Sequence, residues 1–355
     1  MNSSAGLGVV GYLSLAVTKS RLMLYNPPMK PIRTGAILAS LSGGVIALHA
    51  QPAAIQQLQN DQITRQLQAP PPILSGTNAP ELYPGENADV GPQRILRVTP
   101  RHKYFDVIFD SQFFYSDNAN YSQQPGAVGS AVFVNTVQAT FAPPVVTLGP
   151  GKAAGAVGFA SQWYNYGNNQ LENLDFNADT VFLSGKYTLG KWLFGAGVNG
   201  TILFNQQSYN ETYRELMPNL GVQRVITLND RMFFSLGDLV DYHVTQVPST
   251  LGRVSDINDR FDDIASITFT WQITHHLVLQ PYYRFQYSYY LHNTLDTTDR
   301  NDYLQSFGFT AAYYFNSNFS ARVFYNYNRK QSSDNLAPPY LEMNGGLGLS
   351  LDLRF

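Results

Sequence analysis

The 355 residues include no cysteine, which excludes disulfides, thiol nucleophiles, cysteine metal centres and a lipidated N-terminal cysteine. Charge is scarce too. Lys, Arg, Asp and Glu make up 14% of the chain, against about 25% in soluble domains, and the net charge of -2 offers no basic field for nucleic acid. Long hydrophobic runs are also missing, so no segment reaches the roughly 20 apolar residues that a transmembrane helix needs. What is abundant is aromatic: Tyr 23 and Phe 22, within a mean hydropathy of only -0.19. Such a chain can still enter a membrane if its apolar residues sit at every second position.

The longest apolar stretch lies near the beginning. From Met29 the sequence reads MKPIRTGAILASLSGGVIALHAQPAA, with Lys30 and Arg33 before an apolar segment from Gly35 to Leu48 and a cleavage point after Ala50. This is the layout of a secretory signal peptide over 29–50, and it is too short to span a bilayer. Residues 1–28 then read as an upstream mis-start, with GLGVVGYLSLAV as a competing anchor. Residues 51–100 combine a Gln-rich run with APPPILSGTNAPELYPGENADVGP, a Pro- and Gly-rich tract expected to be extended. It reads as a periplasmic tether or as a plug entering a lumen.

From residue 101 to 355 the chain alternates. Leu277, Leu279, Pro281, Tyr283, Phe285, Tyr287 and Tyr289 oppose Val278, Gln280, Tyr282, Arg284, Gln286, Ser288 and Tyr290, as strands with one apolar and one polar face require. Tight connections at 188–191, 228–230, 274–276 and 316–318 interleave with longer polar loops near 166–177, 206–218, 246–262, 292–302 and 329–341. Strict alternation of short and long connections predicts an all-β fold, an antiparallel transmembrane up-and-down β-barrel of about 12 strands. Its weakest strand is GVQRVITL, expected to be short, and PPVVTLGPGKAA is long for a turn. Trp163, Tyr164, Tyr166, Trp192, Tyr287, Tyr289 and Tyr290 are expected at the two rims, where aromatic side chains meet the bilayer interface.

The last ten residues, GLGLSLDLRF, set Leu347, Leu349, Leu351, Leu353 and Phe355 on one face. This ending resembles the C-terminal signature of bacterial outer-membrane β-barrel proteins, an alternating strand closed by phenylalanine. The resemblance implies that Leu351, Leu353 and Phe355 form an assembly signal read by the barrel-assembly machinery. It also implies residence in the bacterial outer membrane, with lipid and lipopolysaccharide as neighbours. Because no strand edge can stay unpaired in lipid, the last strand must meet the first near Tyr104 to Tyr115.

The same parity assigns a polar lumen. Asp106, Asp110, Lys186, Gln280, Tyr282, Arg284, Arg322, Phe324, Asn326, Asp352 and Arg354 are expected to point inward as pore-lining residues, with Asp106 and Asp110 able to pair with arginines at the seam. A barrel of this size lies between filled 8-stranded and open 16-stranded cases.

Enzyme signals are thin. GAGVNG at 195–200 fits G-x-G-x-x-G but lies inside a strand, so no phosphate cradle follows. No histidine sits in a His-x-Ser-Asn-Gly pattern. His243 and His292 are expected at the outer rim with Asp241, Asp262 and Asp263, where a carboxylate-polarised histidine could activate water. The acidic loops DINDRFDD and DTTDRND lack the Gly and final Glu of an EF-hand. No catalytic residue, cofactor or metal is therefore assigned. The leading reading is a narrow, porin-like channel for small polar solutes. The alternative is a closed structural or interaction barrel presenting loops or the 51–100 tract to a periplasmic protein, and a rim hydrolase is a distant third.

Overall fold

A computed structural model of the chain describes residues 103–247, 256–292, 299–334, 337 and 339–355. The signal-peptide, mis-start and tether-or-plug readings, all on residues 1–100, lie outside the described residues. Those described form thirteen strands: β1 Phe105–Ser116, β2 Ser130–Phe141, β3 Val146–Leu148, β4 Gly151–Tyr166, β5 Phe176–Leu189, β6 Trp192–Asn205, β7 Glu211–Asn229, β8 Met232–Gln246, β9 Arg260–Gln272, β10 Leu277–Tyr290, β11 Asn301–Tyr314, β12 Phe319–Ser332 and β13 Tyr340–Arg354. Each pairs antiparallel with its chain neighbour, except that β2 pairs β4 directly, and the circle closes through β1 and β13. The result is a closed barrel of twelve strands, with β3 a short appendage.

β3 explains the overlong connection. Val146–Leu148 folds back on Gly151 to Ala153 around Gly149, whose φ of 57° suits a residue without Cβ. The expected tight turns are present at 190–191, 230–231, 273–276 and 315–318. They define one rim, and the longer loops define the other.

β7 is a correction. Rather than the short GVQRVITL, it runs Glu211–Asn229, 19 residues and the longest strand. The segment read as loop at 206–218 contains Arg214, Glu215 and Pro218, which mask the alternation. Its parity is nevertheless regular, with Tyr213, Glu215 and Met217 buried and Arg214, Leu216 and Pro218 exposed.

The outer face is apolar. Phe109, Phe113, Val181, Leu183, Leu220, Val323, Leu347 and Leu349 all project outward, exposed from the protein, and a sheet closed on itself with such a surface has lipid as its natural solvent. Its outward apolar face is that of a β-barrel that spans a membrane. Trp163, Trp192, Tyr287 and Tyr289 occupy outward positions, as expected of rim aromatics. Tyr164, Tyr166 and Tyr290 do not: their parity turns them inward, where they are buried.

The seam answers the C-terminal motif. β13 meets β1 in register from Asp106↔Arg354 to Ser116↔Asn344. Phe355 extends the ladder, donating its N–H to the Phe105 carbonyl at 2.9 Å and accepting from the Phe105 N–H at 3.3 Å.

Candidate functional site: the barrel lumen

Inward positions differ along the barrel axis. Towards the short-turn rim the wall is partly open, with small inward residues on β4, β6 and β7, among them Ala154, Ala156, Gly195, Gly197 and Gly221. Towards the long-loop rim the inward side chains are large and buried. On the β1–β2–β4–β5–β6 side the filling is mainly apolar: Phe114, Val132, Val134, Tyr164, Phe176 and Leu203 pack together, with Tyr164 stacked on Phe176 at 4.3 Å and the uncharged Gln162, Thr136, Thr180 and Thr201 buried below them. Loops fold inward over this core. Ala119 and Tyr121 of the β1–β2 loop join it, and so do Leu171 and Leu174 of a 3-10 helix, Asn169–Leu174. That helix is capped by Asn168, which accepts from the Gln170 N–H, and Asp175 beyond it accepts from the Tyr166 N–H at 2.8 Å. Burial raises the Asp175 carboxyl above its ordinary pKa despite this bond.

The β7–β10 side is filled with charge instead. Register places Glu215 opposite Thr245, Asp241 opposite Asp262 and His243 opposite Arg260. Two acids directly opposite would repel, and Asp262 is held instead by His243 and Arg260, the next inward pair along the strands. His243 is clamped at both ring nitrogens, with Nδ1 2.6 Å from Glu215 Oε1 and Nε2 3.0 Å from Asp262 Oδ2. Each ring nitrogen thus faces a carboxylate, and Arg260 Nη2 lies 3.3 Å from Nδ1 and 3.4 Å from Nε2. Arg260 Nε donates to both oxygens of Asp262 at 3.0 and 3.1 Å, and the Tyr213 hydroxyl donates to Glu215 at 2.7 Å. Among the described residues, Asp241 Oδ1 is buried without a hydrogen-bond partner.

Tyr290 links this cluster to a second one. Its ring lies between Arg260, at 5.7 Å, and Arg300, at 3.8 Å, as cation–π contact favours. Arg300 and Lys330 both hold Asp302, at 2.6 and 2.8 Å. Next to them Glu342, fully buried, accepts from Ser116, Asn328 and Asn344.

The sequence-assigned residues all take inward positions, at several depths. Arg284 is buried and donates to Ser306 at 2.9 Å. Gln280 donates to Thr270 at 3.2 Å, and the Tyr282 hydroxyl to Asn326 at 2.6 Å. Phe324 packs edge-on against Phe114 at 5.9 Å, joining the apolar side. Lys186 is exposed near the short-turn rim. Asp106 lies 3.7 Å from Arg354, which is paired with Asp352. Asp110 and Arg322 form a two-pronged pair at 2.8 and 2.7 Å, reaching across β13.

The charged filling itself was not among the assigned residues. Glu215 was hidden in a supposed loop, and Arg260, Asp302, Lys330 and Glu342 lay beyond or at the edge of the expected strands. The parity of each strand, extended by one to four residues, reaches them. Of the rim grouping of histidines and acids, His243 does meet Asp262, at 3.0 Å, but buried in the lumen, Asp263 is instead on the outward face and exposed, and His292 lies apart from them in the β10–β11 loop.

No family model matches the sequence, and no curated protein matches it either. Solved structures of similar form include an outer membrane channel from Pseudomonas putida F1, at 13% identity and a TM-score of 0.47, covering 72% of this chain and 97% of that one. Another is the translocator domain of the autotransporter NalP from Neisseria meningitidis, at 14% identity and a TM-score of 0.36, covering 71% and 89%. A third is the KdgM porin in complex with disordered oligogalacturonate, at 8% identity and a TM-score of 0.35, covering 69% and 98%.

Proposed function

We propose that the protein is a narrow outer-membrane channel for small polar solutes, whose path follows the charged β7–β12 side of the lumen. The observation that carries this reading is the contrast between the two fillings. Apolar side chains, with the uncharged Thr136, Gln162, Thr180 and Thr201 among them, close the β2–β6 side, and apolar filling of similar volume is generally at least as stable as buried ion pairs. A barrel needing only to be shut would use the same filling throughout. The short-turn half forms the vestibule, with Lys186, Arg322, Arg354, Asp106 and Asp352 near its wall, and the short turns face the periplasm as in other such barrels. Leu351, Leu353 and Phe355, on the strand that seals the seam, serve as the assembly signal.

The test is single-channel conductance in planar bilayers, comparing the chain from Gln51 with one lacking residues 51–100. Current steps in both establish a channel with a tethering tract, and steps only in the shorter chain make the tract a plug. His243→Ala, which removes the centre of the charged filling, is expected to enlarge the steps. Silence in all three favours a second reading, a closed structural or interaction barrel, which the packed core and inward-folded loops support.

A further inference from the structure

The β8–β9 and β10–β11 loops meet at the long-loop rim through three side chains that the lumen does not use. The Leu291 N–H donates to the Asp259 carbonyl, and the Asp259 N–H to the Asp256 carbonyl, both at 2.9 Å, so the backbone brings Asp256, Asp259 and His292 together. One ligand-type atom from each lies within 4.8 Å of the other two. His292 Nε2 is 3.3 Å from Asp256 Oδ2 and 3.7 Å from Asp259 Oδ2.

These spacings are not those of charge-assisted hydrogen bonds, which close to about 2.7–2.9 Å. The 3.3 Å spacing is that of donors sharing a cation, since ligands each about 2.0–2.1 Å from a metal sit about 3.0–3.4 Å apart, and the 3.7 Å spacing is slightly wider. Asp259 is prepared for that role. It is 9% exposed, its Oδ1 accepts from the Thr245 N–H at 2.6 Å and the Thr245 hydroxyl at 2.8 Å, and its Oδ2 faces His292 Nε2 at 3.7 Å. An outer hydrogen bond that fixes a ligating carboxylate is a recurring feature of metal sites. Asp256 and His292 are about half-exposed, which gives an ion a way in and leaves coordination positions for water.

We propose that Asp256, Asp259 and His292 bind a divalent transition-metal ion at the mouth of the barrel, joining the two loops. One imidazole with two carboxylates suits zinc and its first-row neighbours better than calcium, which takes oxygen donors alone. The site is independent of whether the lumen conducts.

The test is calorimetric titration of the untagged chain in detergent with zinc chloride, in a His275→Gln/His276→Gln background that removes the adjacent histidines of a short turn. One saturable equivalent is expected, weakened at least about tenfold by His292→Ala and by Asp256→Asn. Cobalt loading should give visible absorption bands that the His292→Ala chain lacks. Absence of saturable binding overturns the proposal, as does zinc binding that neither substitution weakens. Calcium binding equal to that of zinc and indifferent to His292→Ala would overturn it too, by marking a merely acidic surface. Both residues are half-exposed, and the heat-modifiable folded band on a gel confirms that each variant retains the barrel.

Discussion

At the scale of single residues, Gly348 shows how an absent side chain can organise a lumen. It lies between Arg322 on β12 and Gln112 on β1, and a Cβ there would come within 2.9 Å of the Arg322 guanidinium. Because nothing stands in that place, Arg322 lies over β13 and reaches Asp110 two strands away. Gly348→Val is therefore expected to displace the guanidinium and leave Asp110, 4% exposed, without its main partner. The expected loss is about 3–5 kcal/mol, as for breaking a buried pair, read as a lower urea midpoint of the folded barrel. Arg322→Ala should give a similar loss, and combining the two should add little, because both remove one interaction. A full second loss on combination would show that Gly348 acts by other means. The inward direction of Asp110 and Arg322 was legible from parity alone. Their pairing was not, since it depends on which strand lies between them and on what that strand omits.

At the scale of elements, the twelve-strand order was legible because short and long connections alternate and because most strands separate their faces cleanly. The exceptions have one physical origin: polar residues and proline within a strand imitate a loop. Pro218 in β7 is paired with Val198 on β6, yet the β7–β8 ladder passes from Leu216↔Val244 to Asn219↔Asp241 with Met217 and Pro218 unpaired. Pro281 in β10 behaves alike, keeping Phe309 on β11 while the β9 ladder skips from Leu279↔Trp271 to Tyr282↔Thr268. Within a strand the N–H and C=O of a residue point to the same neighbour, so a proline damages one ladder and spares the other. At Gln280 the side-chain bond to Thr270 bridges the gap on the lumen side. Pro218→Val supplies the missing donor on a residue whose side chain faces outward, and it is expected to stabilise the barrel by about 1 kcal/mol. A raised urea midpoint with unchanged m-value would bear this out, whereas a lowered one would mean that the interrupted ladder relieves strain next to His243.

At the scale of the whole molecule, the axial asymmetry matters most, and it was the least legible feature. Alternation tells inward from outward but says nothing about depth. Depth determines whether an inward side chain meets an open vestibule or a packed neighbour, and so whether it lines a path. The aromatic residues illustrate the loss: Tyr164 and Tyr290 look like rim anchors in one dimension and become core and cation–π partner in three. The absence of cysteine gives a direct measure of depth, because any thiol introduced is the only one in the chain. Lys186→Cys would stand in the open short-turn half, while Ser306→Cys would replace a residue 1% exposed, beside Arg284 in the filled half. A small charged thiol reagent needs the thiolate and access to it, so the first should be modified rapidly. The second must wait for local opening, and an opening free energy of about 3 kcal/mol would slow it ~100-fold. Mass spectrometry of the reconstituted protein over time measures both rates. Equal rates would mean that water moves freely through the long-loop half and that the charged cluster lines an open pore. A slow second rate that accelerates in a His243→Ala background would instead identify the cluster as the closure itself, held by the same charges that a polar solute must displace to pass.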